Sequence, residues 1–171
     1  MQNVEFKAEL RDPALARGIL GPAGLGATWI VQLRQTDTYY VVPAGRLKKR
    51  ECPGEPTEYI FYDRADRAQP RLSHFKLYTE GQAFERFGSS PLPVWIVVKK
   101  VRDLYMLGNV RVHLDQVEGL GHFIEFEALV SPQHTVAQCH GAVAALREHL
   151  GVALGEPIAA GYSDLLERET K

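Results

Sequence analysis

Arg46-Leu47-Lys48-Lys49-Arg50-Glu51 carries full charges on both faces of any strand it forms. Successive strand residues point to opposite sides, so this segment cannot lie over an apolar core on both of them. Other segments repeat the pattern on one face. Val4, Phe6, Ala8 and Leu10 alternate with Glu5, Lys7 and Glu9. Lys100 and Arg102 follow an apolar run. Arg111, His113 and Asp115 alternate with Val110, Val112 and Leu114, and Phe123, Glu125 and Glu127 alternate with Ile124, Phe126 and Ala128. Any one such strand is ordinary, because an antiparallel sheet commonly wets one face. Together they set Lys7, Arg46, Lys48, Arg50, Lys100, Arg102 and Arg111 against Glu5, Glu9, Asp115, Glu125 and Glu127, with little Ser, Thr or Gln between them. If the strands close into a barrel these faces point inward, where a charge is costly unless it meets a counter-charge or a ligand.

The rest of the chain fits one compact domain spanning 1–171, mostly antiparallel β with a few helices, an α+β protein. Asp12-Pro13 offers a cap and a first helical position for a short helix ending at Gly21. Strands are expected over about 27–33 and 39–42, at 46–51 and 58–64, from Arg71, and over 94–102, with a loop or short helix over 80–93. Gly108-Asn109 marks a hairpin, 122–130 a further strand, and Gln133 to Leu150 the main helix, whose apolar stripe is Val136, Cys139, Val143, Leu146 and Leu150. Tyr162 to Leu166 forms a last turn against the barrel.

With 45% hydrophobic and 24% charged residues, and no apolar run of membrane-spanning length, membrane insertion is not expected. No basic-then-apolar leader opens the chain, which gives a cytoplasmic expectation. A net charge of −1 lacks the broad positive field of a nucleic-acid binder, so an anion site must be local. Cys52 and Cys139 have no metal or redox spacing.

Arginines offer planar forks to phosphate oxygens and lysines offer point charges, while carboxylates at alternate strand positions converge on a hard cation such as Mg²⁺ or Mn²⁺. Glu125-Phe126-Glu127 and Glu5 are the natural metal ligands, and a metal–triphosphate complex needs both halves of the set.

These residues resemble the CYTH domains, the triphosphate tunnel group that includes class IV adenylate cyclases and thiamine triphosphatases. NVEFK is similar to the family's ExExK signature, and QTDTYYVVPAGRLKKRE, FYDRADRAQPRLS, VVKKVRDLYMLGNVRVHLDQVEGLGHFIEFE and GYSDLL resemble, in order, segments of the class IV cyclase branch. The resemblance implies a closed eight-stranded barrel with helices packed outside. It implies that Glu5, Glu125 and Glu127, with Asp115 as a further candidate, bind Mg²⁺ or Mn²⁺. Lys7, Arg46, Lys48, Lys100, Arg102 and Arg111 are implied to bind the triphosphate, with Glu5, Lys7, Glu125 and Glu127 as the catalytic set. Asp37, Arg64, Arg71 and Ser73 are implied to contact the rest of the nucleotide or support the wall. One departure is Asn3 where the signature has its first acid. An amide brings no charge, which weakens the case for a second metal.

The partner implied is ATP or another triphosphate compound, with a homodimer left open. Three functions are compatible: a cyclase forming cyclic AMP and pyrophosphate, a metal-dependent triphosphatase acting on inorganic or thiamine triphosphate, and a non-catalytic sensor. Gly18 to Gly26 lacks the Gly-Lys-Ser/Thr ending of a phosphate loop and contains Pro22, so a turn is expected. Of the six histidines only His113 shares the parity of Arg111 and Asp115 and faces the expected ligand.

Overall fold

The computed structural model of the chain describes residues 1–88 and 92–171. Its elements run β1 (Gln2–Leu10), α1 (Pro13–Leu20), β2 (Thr28–Tyr40), β3 (Arg46–Glu51), β4 (Glu58–Asp63), β5 (Arg71–Tyr78), α2 (Glu80–Phe87), β6 (Val94–Leu107), β7 (Val110–Val117), β8 (Gly121–Leu129), α3 (Val136–Leu150), β9 (Leu154–Pro157) and α4 (Tyr162–Glu169). The strands pair antiparallel in the order β5-β4-β3-β2-β6-β7-β8-β1, and β1 returns to β5 to close an eight-stranded barrel. β1 divides one edge between two partners: Gln2 to Glu5 pair with β5, while Ala8 and Leu10 pair with the extra strand β9.

The main hydrophobic core lies outside the barrel wall. Val4, Phe6 and Ala8 of β1, Val110, Val112 and Leu114 of β7, and Ile124, Phe126 and Ala128 of β8 pack on Cys139, Val143, Leu146 and Leu150 of α3 and on Ala16 and Leu20 of α1. A smaller cluster covers the outer face of β3 and β4, where Leu47 and Tyr59 meet Ala83 of α2. With apolar faces satisfied from outside, the alternation leaves the charged faces of the same strands pointing inward.

Local signals set several boundaries. Asp12 accepts a hydrogen bond from the Leu15 N–H at 3.0 Å and Pro13 opens α1. Thr135 and Gln138 cap each other's backbone N–H groups, so α3 begins at Val136 instead of at Gln133. Gly108 takes φ +59° at the first central position of the β6–β7 turn, a conformation that costs any other residue strain. The glycine-rich segment after α1 is a turn, as its composition implies.

Three elements depart from expectation. The two strands foreseen over 27–33 and 39–42 are one, Thr28–Tyr40, because β6 supplies pairing partners along its whole length. β9 was not foreseen. The tail turn is a two-turn helix, α4, packed on β6. Of the loop or short helix expected over 80–93, Glu80–Phe87 is helical, and positions 89–91 lie outside the described residues. Among the described residues no helix is long and apolar enough to cross a membrane.

Candidate functional site

The barrel encloses a cavity of about 310 Å³. Its wall includes Asn3, Glu5 and Lys7 from β1, Gln35 and Tyr39 from β2, and Lys48 and Arg50 from β3. Lys100 and Arg102 come from β6, Arg111 and His113 from β7, and Glu125 and Glu127 from β8. Tyr62 and Arg64 follow from β4 and the loop after it, and Tyr162 enters from the start of α4. Beneath α4 the interior turns apolar, where Tyr39, Val98, Val117, Phe123 and Tyr162 cluster. A second recess of about 220 Å³ shares Tyr62 and Arg64 with the tunnel and adds Gly45, Arg46, Asp63, Asp66 and Asp164.

Asp37 organises one group of bases. Its carboxylate is wholly buried and accepts two hydrogen bonds from Arg50, each 2.8 Å, and one from Lys100 at 2.7 Å, with Lys48 Nζ at 3.1 Å. Burial alone would raise the Asp37 carboxyl, but Lys100, Lys48 and Arg50 outweigh it and hold it well below the usual range. The lysine responds the other way. Burial, with Arg50, Arg102 and Lys48 nearby, pushes Lys100 well below the usual ammonium range in spite of Asp37. Three cations share one buried anion here, so this part of the tunnel holds more positive charge than Asp37 neutralises.

A second group is self-contained. Arg102 donates to both oxygens of Asp115 at 2.7 and 2.8 Å, and the Tyr162 hydroxyl donates to Asp115 Oδ2 at 2.7 Å. Burial would raise Asp115, yet Arg102 prevails and lowers it to about 2 from 3.8. The stability this carboxylate contributes is therefore fully present above pH 3.8 and is lost as pH falls through 2. Tyr162→Phe removes one charge-assisted hydrogen bond and is expected to cost about 1.5–3 kcal/mol at pH 7. The loss should shrink as pH approaches 2, a trend that urea unfolding of both proteins across this range reads directly. A cost that does not vary with pH would sever Tyr162 from the ionised Asp115.

The remaining acids gather where β1, β7 and β8 adjoin. The register sets Glu5 opposite Glu127, Lys7 opposite Glu125, and His113 opposite Glu125. Lys7 Nζ lies 3.2 Å from Glu125 Oε2 and 3.7 Å above the Tyr162 ring. Burial lowers Lys7 despite Glu125. It also pushes Glu127 well above the usual carboxyl range, reinforced by Glu125, whereas Lys7 outweighs burial to hold Glu125 well below it. Burial and Arg102 lower His113 to about 4. One ligand atom each from His113, Glu125 and Glu127 lies within 4.8 Å of the others. Glu5 is engaged elsewhere: its Oε1 lies 2.8 Å from Arg64 Nη1 and 3.5 Å from Arg71 Nε.

The structure thus brings Glu5, Lys7, Lys48, Lys100, Arg102, Arg111, Arg64, Ser73, Glu125 and Glu127 to one cavity. Asp37 and Asp115 are buried in the wall, as ion-pair partners of Arg50, Lys100 and Arg102. Asp115, expected as a metal candidate, has both oxygens occupied by Arg102 and Tyr162 and lies outside the His113–Glu125–Glu127 group. Arg71 is buried beside Glu5 and donates to the Arg67 carbonyl. Arg46 sits apart from the bases that line the tunnel: it lines the recess, pairs with Asp164 at 3.1 Å, stacks 5.2 Å from the Trp95 ring and leaves 37% of its side chain exposed. Arg111, at the end of β7 near the turn, is exposed.

Tyr39, Tyr62 and Tyr162 join the site without having been assigned to it, and Arg50, read as one of the inward charges but given no ligand role, joins it too. Arg50 shares the parity of Lys48, a signal available in the sequence. Tyr162 lies in a helix, and no strand periodicity could point it into the barrel.

Among curated proteins none matches this chain. Solved structures do. A Pyrococcus horikoshii OT3 protein is 23% identical, with a TM-score of 0.75 over 95% of this chain and 98% of its own. A Vibrio parahaemolyticus protein named as a provisional adenylate cyclase is 17% identical, with a TM-score of 0.70 over 96% of this chain and 97% of its own. An S. pombe RNA triphosphatase is 9% identical, with a TM-score of 0.56 over 91% of this chain and 85% of its own. At such identities the likeness shows the fold. The CYTH domain model matches residues 1–162, nearly the whole sequence, and the chain belongs to the CYTH domain family.

Proposed function

We propose that the tunnel binds a nucleoside triphosphate with a divalent cation and that the protein is a class IV adenylate cyclase-like enzyme, converting ATP into cyclic AMP and pyrophosphate. The observation that carries the triphosphate half is the excess of cations around Asp37. Lys100, Lys48 and Arg50 converge on one carboxylate. A triphosphate laid along them supplies the missing negative charge. The recess beside the tunnel favours a nucleotide over inorganic triphosphate: it shares Tyr62 and Arg64 with the tunnel, and its Asp63 and Asp66 offer acceptors beyond the phosphate-binding bases.

Glu125, Glu127 and His113 fit a divalent ion. Their donor atoms converge, and the buried His113 Nδ1 has no hydrogen-bond partner. An ion held there supplies charge neutralisation and polarisation of phosphoryl oxygens. The chain's own work is positional. Lys48, Arg50, Lys100 and Arg102 hold and neutralise the phosphates, and the wall aligns the ribose 3′-hydroxyl with the α-phosphorus as pyrophosphate leaves on the opposite side.

The test is product analysis. Purified protein is incubated with Mg²⁺ or Mn²⁺ and, separately, ATP, inorganic triphosphate and thiamine triphosphate. Cyclic AMP with equimolar pyrophosphate is the expected outcome. Orthophosphate release makes the protein a triphosphatase, and tight binding of all three without turnover makes it a sensor; either result overturns the cyclase reading.

A further inference from the structure

We propose that His113 is a nitrogen ligand of the tunnel's metal site and makes that site select a transition-metal ion such as Mn²⁺ or Co²⁺ over Mg²⁺. The inference rests on the reading that the Glu125–Glu127 part of the tunnel holds a divalent ion. Among the described residues, the other acids near that site stand beside bases. Glu5 is drawn to Arg64 at 2.8 Å, both oxygens of Asp115 are taken by Arg102 and Tyr162, and Asn3 brings no charge. The group that converges with the two glutamates is an imidazole.

His113 is placed to serve. It stands opposite Glu125 in the β7–β8 register, and its side chain is 6% exposed. Nδ1 lies 3.5 Å from Glu125 Oε1 and 3.9 Å from Glu127 Oε1. Both distances are too long for a hydrogen bond, and Nδ1 has no other partner although it is buried. Ligand atoms about 2.0–2.2 Å from one ion stand roughly 3–4.4 Å apart, so a shift of a few tenths of an ångström seats the three around a cation. Mg²⁺ seeks oxygen ligands and keeps its waters, whereas imidazole suits the later divalent metals, whose affinity for nitrogen-bearing sites rises along the first transition row.

The experiment uses the full-length protein without nucleotide and measures binding of Mn²⁺, Co²⁺ and Mg²⁺ by calorimetry. Pulsed electron paramagnetic resonance of the Mn²⁺ complex then reports whether a nitrogen is coordinated. Wild type should bind Mn²⁺ and Co²⁺ more tightly than Mg²⁺ and show the histidine nitrogen coupling. In His113→Ala the coupling should vanish, and Mn²⁺ affinity should fall by about 10–100-fold, at least as much as losing an outer-shell partner costs, with Mg²⁺ affinity little changed. His113→Asp, with an oxygen donor restored, should narrow the preference for Mn²⁺ over Mg²⁺; circular dichroism of both variants checks that they fold. No nitrogen coupling in wild type, together with unchanged Mn²⁺ affinity in His113→Ala, overturns the inference while Glu125→Gln still weakens binding. If Glu125→Gln leaves Mn²⁺ binding intact as well, the metal reading fails with it.

Discussion

Asp37→Asn is expected to lower stability by about 3–5 kcal/mol or more at pH 7, because it breaks a buried ionic cluster from the side of its single acid. The variant keeps the size of the side chain but leaves Lys100, Lys48 and Arg50 facing one another with no counter-charge among them. Lys100 is already pushed well below its usual range and can escape by losing its proton, whereas the Arg50 guanidinium cannot. The same deficit predicts a ligand effect. Tripolyphosphate, which carries the charge that Asp37 withdraws, should raise the melting temperature of the variant by more than it raises that of wild type. Urea unfolding and thermal melts with and without tripolyphosphate measure both. An unchanged urea midpoint would mean that Asp37 does not hold the three bases together. A destabilised variant that gains no more from tripolyphosphate than wild type would leave Asp37 a support of the wall and detach the cluster from anion binding.

The sequence made the inward charge legible because strand parity is local information. Glu5 and Lys7 alternate with Val4 and Phe6 however the barrel closes, and Lys48 with Arg50 cannot both avoid the interior without abandoning Leu47 to solvent. Which acid meets which base is not local. Asp115 shares parity with His113, Arg111, Glu125 and Glu127, so nothing in its own segment distinguishes a metal ligand from an arginine partner. The β6–β7 register sets Arg102 opposite it, and α4 adds Tyr162. Arg46 has the parity of Lys48 and Arg50 but opens its strand, and that last step places it beside Asp164 and Trp95 in the recess. β9 is four residues that include a glycine and a proline, too short and too poor in strand formers to announce itself; β1 creates it by offering Ala8 and Leu10 an edge that β5 leaves uncovered.

If the tunnel turns over a metal–triphosphate complex, Glu125→Gln should reduce the rate at saturating metal by on the order of 10²–10³-fold, or about 2.7–4 kcal/mol of transition-state stabilisation. Glutamine preserves the shape of the side chain, so the outer core of Ile124 and Phe126 on α3 stays in place and the folded protein should remain available for assay. Two functions of the carboxylate are lost together. The group that faces Glu127 and His113 no longer carries the charge a divalent ion needs, and Lys7, 3.2 Å away, loses its salt-bridge partner. The second loss discriminates between causes. A freed Lys7 should tighten the hold on the triphosphate, because its charge then turns wholly to the anion. The variant is therefore expected to bind ATP in the absence of metal at least as well as wild type while turning it over far more slowly. Metal-free ATP affinity, measured by calorimetry beside the metal-dependent rate, separates the two terms. Unimpaired turnover at saturating metal would remove Glu125 from the metal site. Slow turnover with equally weakened metal-free binding would place Glu125 among the groups that support the tunnel's shape.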